Sequence, residues 1–210
     1  MDTLKGGFLY IRGHKIITYF IFLGVFLNAI LVPFNSLQAP LISEVLYSSE
    51  IMLSAIGVAL STGMIIGSVC YPYLSKQLKK GTLLRISSAA IAIYYFSLVL
   101  AGRFLTSNIL LYVTVSFASF LVGLGAAMLN SMASVELMKN IDEHYLARVG
   151  ALFNAGCVAA FPVVSFIISG LTKFLSTSVL FIIAGICGVF AVILLYTPKK
   201  MKELGLNSIG

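Results

Sequence analysis

Six apolar runs, each close to or above twenty residues and parted by short polar links, constrain this chain more than any other feature. They cover residues 16–42, 51–74, 83–101, 109–137, 146–171 and 178–196. Crossing about 30 Å of hydrocarbon at 1.5 Å per residue takes about 20 helical residues, so each run has the length for one crossing. Barrel strands do not fit, because they alternate at period two over about ten residues and these runs are apolar throughout. Composition agrees. Of the 210 residues 60% are hydrophobic and 10% charged, and the mean hydropathy is +1.04. A soluble domain is nearer half apolar and a quarter charged. The expectation is an all-α membrane protein of six transmembrane helices, with an N-terminal segment over 1–15 and a tail over 197–210.

The formal charge of +7 would point to nucleic acid in a soluble protein. Its distribution points to the bilayer instead. All the Lys and Arg except Arg103 and Lys173 lie in the segments on one side of the six-span arrangement. The positive-inside rule makes that side the cytoplasm, with both termini in it, and leaves no basic patch that calls for nucleic acid. The basic N-terminus precedes an apolar run too long for a signal peptide, and no small-residue cleavage site follows it. Cys70, Cys157 and Cys187 are odd in number, lie in apolar runs and lack metal-ligand spacing. They read as small core residues, and no metal or cofactor is expected.

Small residues recur every fourth position in three spans: Ala55, Ala59, Gly63 and Gly67; Ser119, Gly123, Ala127 and Ser131; Ala147, Ala151, Ala155 and Ala159. Such stripes let helix backbones approach closely, which is how helices associate in lipid. Polar residues are shared unevenly. The third span holds only serines, tyrosines and Arg85, and the sixth is almost wholly apolar, so both are expected at the lipid-facing periphery. The first, fourth and fifth carry Asn28, Asn35, Ser36, Gln38, Ser116, Asn130, Glu136 and Asn154. Polar groups in a bilayer need a partner or a wet cavity, so these helices are expected to face inward. On an ideal wheel Asn28 and Asn35 nearly superimpose, with Gln38 within about 80°, and Pro33 is expected to kink the helix inside that stripe. No Asp or His falls within a span, and His14 and His144 lie in loop segments. An intramembrane enzyme would need a buried base or metal ligands there, so none is expected.

Six helices with the first and fourth most polar resemble one half of a major facilitator superfamily transporter. Residues 7–17 (GFLYIRGHKII) followed by 26–40 (FLNAILVPFNSLQAP) are similar to the start of the second half in bacterial macrolide-efflux members, and residues 141–150 (IDEHYLARVG) to the loop between the fourth and fifth helices of a half. The likeness runs from Gly7 to Lys202. It implies a half built from 3+3 inverted repeats, placed in the bacterial plasma membrane, that exports amphipathic drugs by alternating access. Asn28, Asn35 and Gln38, with Asn130 and Asn154 behind them, would then line the substrate cavity. The expected partners are the bilayer, a six-helix N-terminal half or a second copy of this chain, and a small amphipathic substrate. One departure matters. The family's loop after the second helix often reads GxxxDRxGRR, whereas residues 72–81 read PYLSKQLKKG and keep only Lys79 and Lys80 as the basic part. A substitute gate is expected from Glu136 paired with Arg148 or Arg85; the alternative is that each charge snorkels to the headgroups. The alternative function is a small six-helix substrate-binding subunit of a multi-component uptake transporter, with a pocket near the extracellular side. A structural membrane protein, indifferent to the asparagine stripe, is a third.

Overall fold

The computed structural model describes residues 2–105 and 107–195, and these are helical almost throughout, with no β-strand among them. The helices are α1 (Asp2–Gly13), α2 (Lys15–Ser36), the single turn α3 (Gln38–Pro40) running into a π turn (Leu41–Val45), α4 (Ile51–Gln77), α5 (Lys80–Phe104), α6 (Asn108–Asn140), α7 (Glu143–Leu171) and α8 (Thr177–Leu195). Five of them, α2 and α4 to α7, are long and apolar enough to cross a membrane; α8 is apolar but shorter. The expected tail, 197–210, and the end of the sixth span at residue 196 lie outside the described residues.

The helix neighbours define two layers. In the front layer the order is α4, α6, α2, α7; behind it α5 packs on α6, α8 packs on α2, and α5 and α8 pack on each other. The closest crossing is α4 against α6. A Cβ added at Gly63 would collide with the Phe120 carbonyl oxygen, at Gly67 with that of Leu124, and at Gly123 with that of Leu60. The stripes in these two helices therefore do what their spacing predicts, bringing backbone to backbone. The α7 stripe does not. Ala147, Ala151, Ala155 and Ala159 are all exposed.

Two further expectations are corrected. The first span is not one helix from 16 to 42. The chain stays α-helical through Pro33 and is interrupted at Leu37, whose φ of −114° and ψ of 26° leave the helical region. The cause lies downstream. Pro40 has no N–H for the Ser36 carbonyl, and its ring crowds that same carbonyl, so the ladder fails between the two prolines. The third span is not peripheral either. Half of the apolar stretch of α5 is buried, against 6% for α7 and 17% for α4. Tyr94, Tyr95 and Leu98 of α5 are among the most deeply buried side chains, with Phe181 of α8 against Tyr95. In lipid an apolar surface is equally at home against a neighbour or against acyl chains, so low polarity does not mark a helix as peripheral. The expectation for α8 holds on one face only: Leu180, Phe181 and Ala184 are buried while Ile186, Phe190 and Ile193 are exposed.

The N-terminal segment forms a helix of its own, α1, set off from α2 at His14 and lying against α7. Tyr10 fastens it. The Tyr10 ring stacks between those of His14 and Tyr145 at 4.2 and 4.4 Å, and its hydroxyl donates to the Asp142 carboxylate while accepting from the Asp142 N–H.

Candidate functional site

The front layer sets the site. With α4 and α7 at its flanks and α5 and α8 behind, the outward faces of α2, α6 and α7 are largely uncovered by the described residues, α1 lying against part of α7. Asn35 of α2, Asn130 of α6 and Asn154 of α7 are exposed, each on one of these helices. Asn28 is half-buried between them. Its Nδ2 donates to Gly24 O at 2.9 Å and reaches Cys157 Sγ of α7 at 3.6 Å. Asn35 Nδ2 returns to Leu31 O at 3.3 Å, one turn back on its own helix. An amide that bonds its own helix by one N–H keeps its oxygen and second N–H for another partner.

Asn28 and Asn130 are brought together. They share a chamber of about 30 Å³ bounded by α2, α5, α6 and α7, with Phe20, Leu27, Leu84 and Phe153 on its apolar sides. That volume admits a water or two and no drug-sized ligand. Gln38 is separated from the stripe, because the ideal wheel that aligns it with Asn28 does not run through the break at Leu37. Asn154 lies on α7, beyond the chamber. The structure thus supports a pair, Asn28 with Asn130, and a wider open face, rather than one continuous wall of five amides.

At the lysine-rich end Glu136 has a partner other than the two expected. Its Oε1 lies 2.7 Å from Lys80 Nζ, with the two side chains 6% and 15% exposed. Lys80 opens α5 and Glu136 sits near the end of α6, so the pair ties two neighbouring helix ends. Asn140 adds a bond from Nδ2 to Glu136 O at 2.8 Å. Arg85 donates to Gly81 O and to the Thr82 hydroxyl. The Arg148 guanidinium lies 5.7 Å from the centre of the Tyr145 ring, within reach of cation–π attraction. The sequence signal for Lys80 was present, since it is one of the two basic residues kept in the altered loop.

Other contacts were not foreseen. Tyr95 donates from its buried hydroxyl to Ile30 O at 2.6 Å, joining α5 to α2 one turn before Pro33. Ser36 and Ser165 share a hydrogen bond of 2.7 Å across α2 and α7. Thr177, buried at the start of α8, donates to the Glu44 carboxylate in the π turn. Cys70, Cys157 and Cys187 are free thiols, half-buried rather than buried. Among the described residues no group of His, Cys, Asp and Glu is placed to hold a metal ion.

Fold and site together define a class: a multi-pass α-helical membrane protein. Compared with models of protein families, with characterised proteins and with solved structures, the chain matches none.

Proposed function

We infer that this chain is one six-helix half of an efflux permease of the major facilitator type, moving amphipathic drugs such as macrolides by alternating access in the bacterial plasma membrane. The observation that carries the reading is the pattern of helix pairing. Exchange α2, α4 and α5 in order with α6, α7 and α8, and neighbours map onto neighbours. The α4–α6 pair becomes α7–α2, the α5–α6 pair becomes α8–α2, and the α5–α8 and α2–α6 pairs map onto themselves. Two three-helix repeats of inverted topology produce this self-mapping. On this reading α8 is the sixth crossing, and both termini are cytoplasmic. The open face, with Asn28, Asn35 and Asn130 at its centre and the alanine stripe of α7 at its flank, is half of a substrate path. A six-helix N-terminal half or a second copy of the chain supplies the other wall. The chain is not an enzyme; its chemistry is binding and release.

Expression in a drug-sensitive bacterium tests the reading. The chain alone leaves macrolide accumulation unchanged, and the chain supplied with a six-helix N-terminal half lowers it. The Asn28→Leu/Asn35→Leu double variant of that pair loses the effect. Full efflux by the double variant would sink the assignment of this face. A second reading, a substrate-capture subunit, draws on one observation: a polar cleft at the end away from the lysine-rich loops. It expects tight binding of a water-soluble ligand by the isolated chain.

A further inference from the structure

The side of α2 away from the asparagines borders a groove that the transport reading does not use. Between α2, α7 and α8 lies an apolar trough of about 270 Å³, walled by Ile30, Pro33, Ile167, Leu171, Ile183 and Cys187. One turn further toward the end away from the lysine-rich loops, the same three helices bound a polar cleft of about 490 Å³. Its walls carry Ser36, Ser165, Ser169, Thr172, Ser176 and Thr177, and its one carboxylate is Glu44. Ile168 lines both compartments, and Pro33 is followed by Ser36 and Leu171 by Thr172 in the direction of the cleft. Trough and cleft therefore adjoin at Ile168, the one apolar and the other lined by hydroxyls. On an ideal wheel Ile30 and Pro33 lie about 150° from the mean direction of Asn28 and Asn35, and Ser36 about 90°, so the trough turns away from the front face.

We propose that this groove is a binding site for a bilayer lipid with a zwitterionic, primary-amine head, one acyl chain lying in the trough and the ammonium held by Glu44. Three features of the site select that occupant. The trough from Cys187 to Leu180 rises about 10 Å along α8, and trough and cleft together, to Thr177, about 15 Å, the depth of one leaflet's hydrocarbon. An acyl chain fits an apolar wall of that length, whereas a water-soluble ligand leaves it empty. The mouth offers acceptors rather than donors of charge: the Glu44 carboxylate, oriented by the Thr177 hydroxyl, and serine oxygens around it. A primary ammonium brings three N–H donors to such a set, and a quaternary choline head brings none. Lys173, next in sequence to Thr172 and exposed, puts a positive charge at the same end of the bundle as the lipid phosphate would lie. An anionic head without an amine would meet Glu44 with repulsion.

The test uses the full chain, purified in detergent, stripped of lipid and offered phosphatidylethanolamine, phosphatidylcholine or phosphatidylglycerol with identical chains. Lipid retained on the protein is read by native mass spectrometry. Retention of the ethanolamine lipid about tenfold above the other two is expected, the discrimination of one charge-assisted hydrogen bond set. Glu44→Gln brings it down to the choline level, and Ala29→Trp, which fills the trough, lowers it further. Equal retention of all three heads by the unaltered chain overturns the proposal, and that comparison depends on no variant folding. So does undiminished preference in Glu44→Gln. Binding of soluble phosphoethanolamine as tightly as the diacyl lipid also overturns it, since the cleft alone would then suffice and the capture-subunit reading would gain. Loss of efflux in the transport assay leaves this result untouched, because the lipid measurement needs no partner half.

Discussion

Glu136 shows how a single acid is made tolerable near the end of a membrane helix. Lys80 meets it at 2.7 Å and both side chains are mostly out of water. Removing one partner of such a pair strands the other charge in a poor solvent, at a cost of about 3 kcal/mol. Lys80→Met or Glu136→Leu should each lower the thermal midpoint in detergent. The exchange Lys80→Glu with Glu136→Lys should recover most of the loss. Reversing Arg148 in place of Lys80 should give no such rescue, and a rescue there would restore the pairing expected from sequence. Tyr95 is a second case. Its hydroxyl serves the Ile30 carbonyl from within the core, so Tyr95→Phe should cost about 1 kcal/mol in the same assay, the usual worth of an interhelical bond in a membrane. Neither pairing could be singled out from sequence, although Lys80 stood among the basic residues of the altered loop. Opposite charges and hydroxyls are visible in a sequence, but which of several candidates meet depends on helix rotation and depth.

Among the elements, the α4–α6 crossing depends most directly on residue size. Gly63 and Gly123 each face a backbone carbonyl of the other helix, so neither admits a Cβ without the helices moving apart. Gly63→Ala should destabilise by about 1 to 3 kcal/mol, the usual cost of overpacking. Gly57 lies on the same helix with open space around it. Gly57→Ala should be neutral or slightly stabilising, because alanine is the better helix former. Equal unfolding midpoints for the two variants would contradict the close crossing. The spacing of small residues announced a close approach without naming the partner, and among the described residues the same spacing in α7 meets none. A stripe says that a surface is smooth; it does not say who lies against it. The break at Leu37 is similar, since two prolines, Pro33 and Pro40, competed to interrupt α2 and only the three-dimensional ladder shows which carbonyl was released.

At the scale of the whole molecule, the stripe of α7 and the asparagines beside it lie exposed on one face of the bundle, among the described residues. If a partner half covers that face, Ala151→Cys and Ala155→Cys should cross-link to it in membranes, while Gly57→Cys, Ile186→Cys or Phe190→Cys serve to find how far the contact extends. Ala155→Trp should abolish association and change the unfolding free energy of the isolated chain by no more than about 0.5 kcal/mol, as for a surface change. The sequence by itself determined that this protein is helical and apolar enough to cross a bilayer, where its apolar helices begin and end to within a few residues in every span but the first, and that α4 and α6 each carry a surface smooth enough for close packing. Those follow from apolar length, from the need to satisfy every backbone group in lipid, and from residue size, all of which are local. Tertiary structure alone decided that α5 is core, that Glu136 pairs with Lys80, that Gln38 leaves the asparagine stripe, and that a polar-mouthed groove opens behind α2. In a solvent as apolar as the core, hydropathy carries no sign that separates inside from outside, and only packing does.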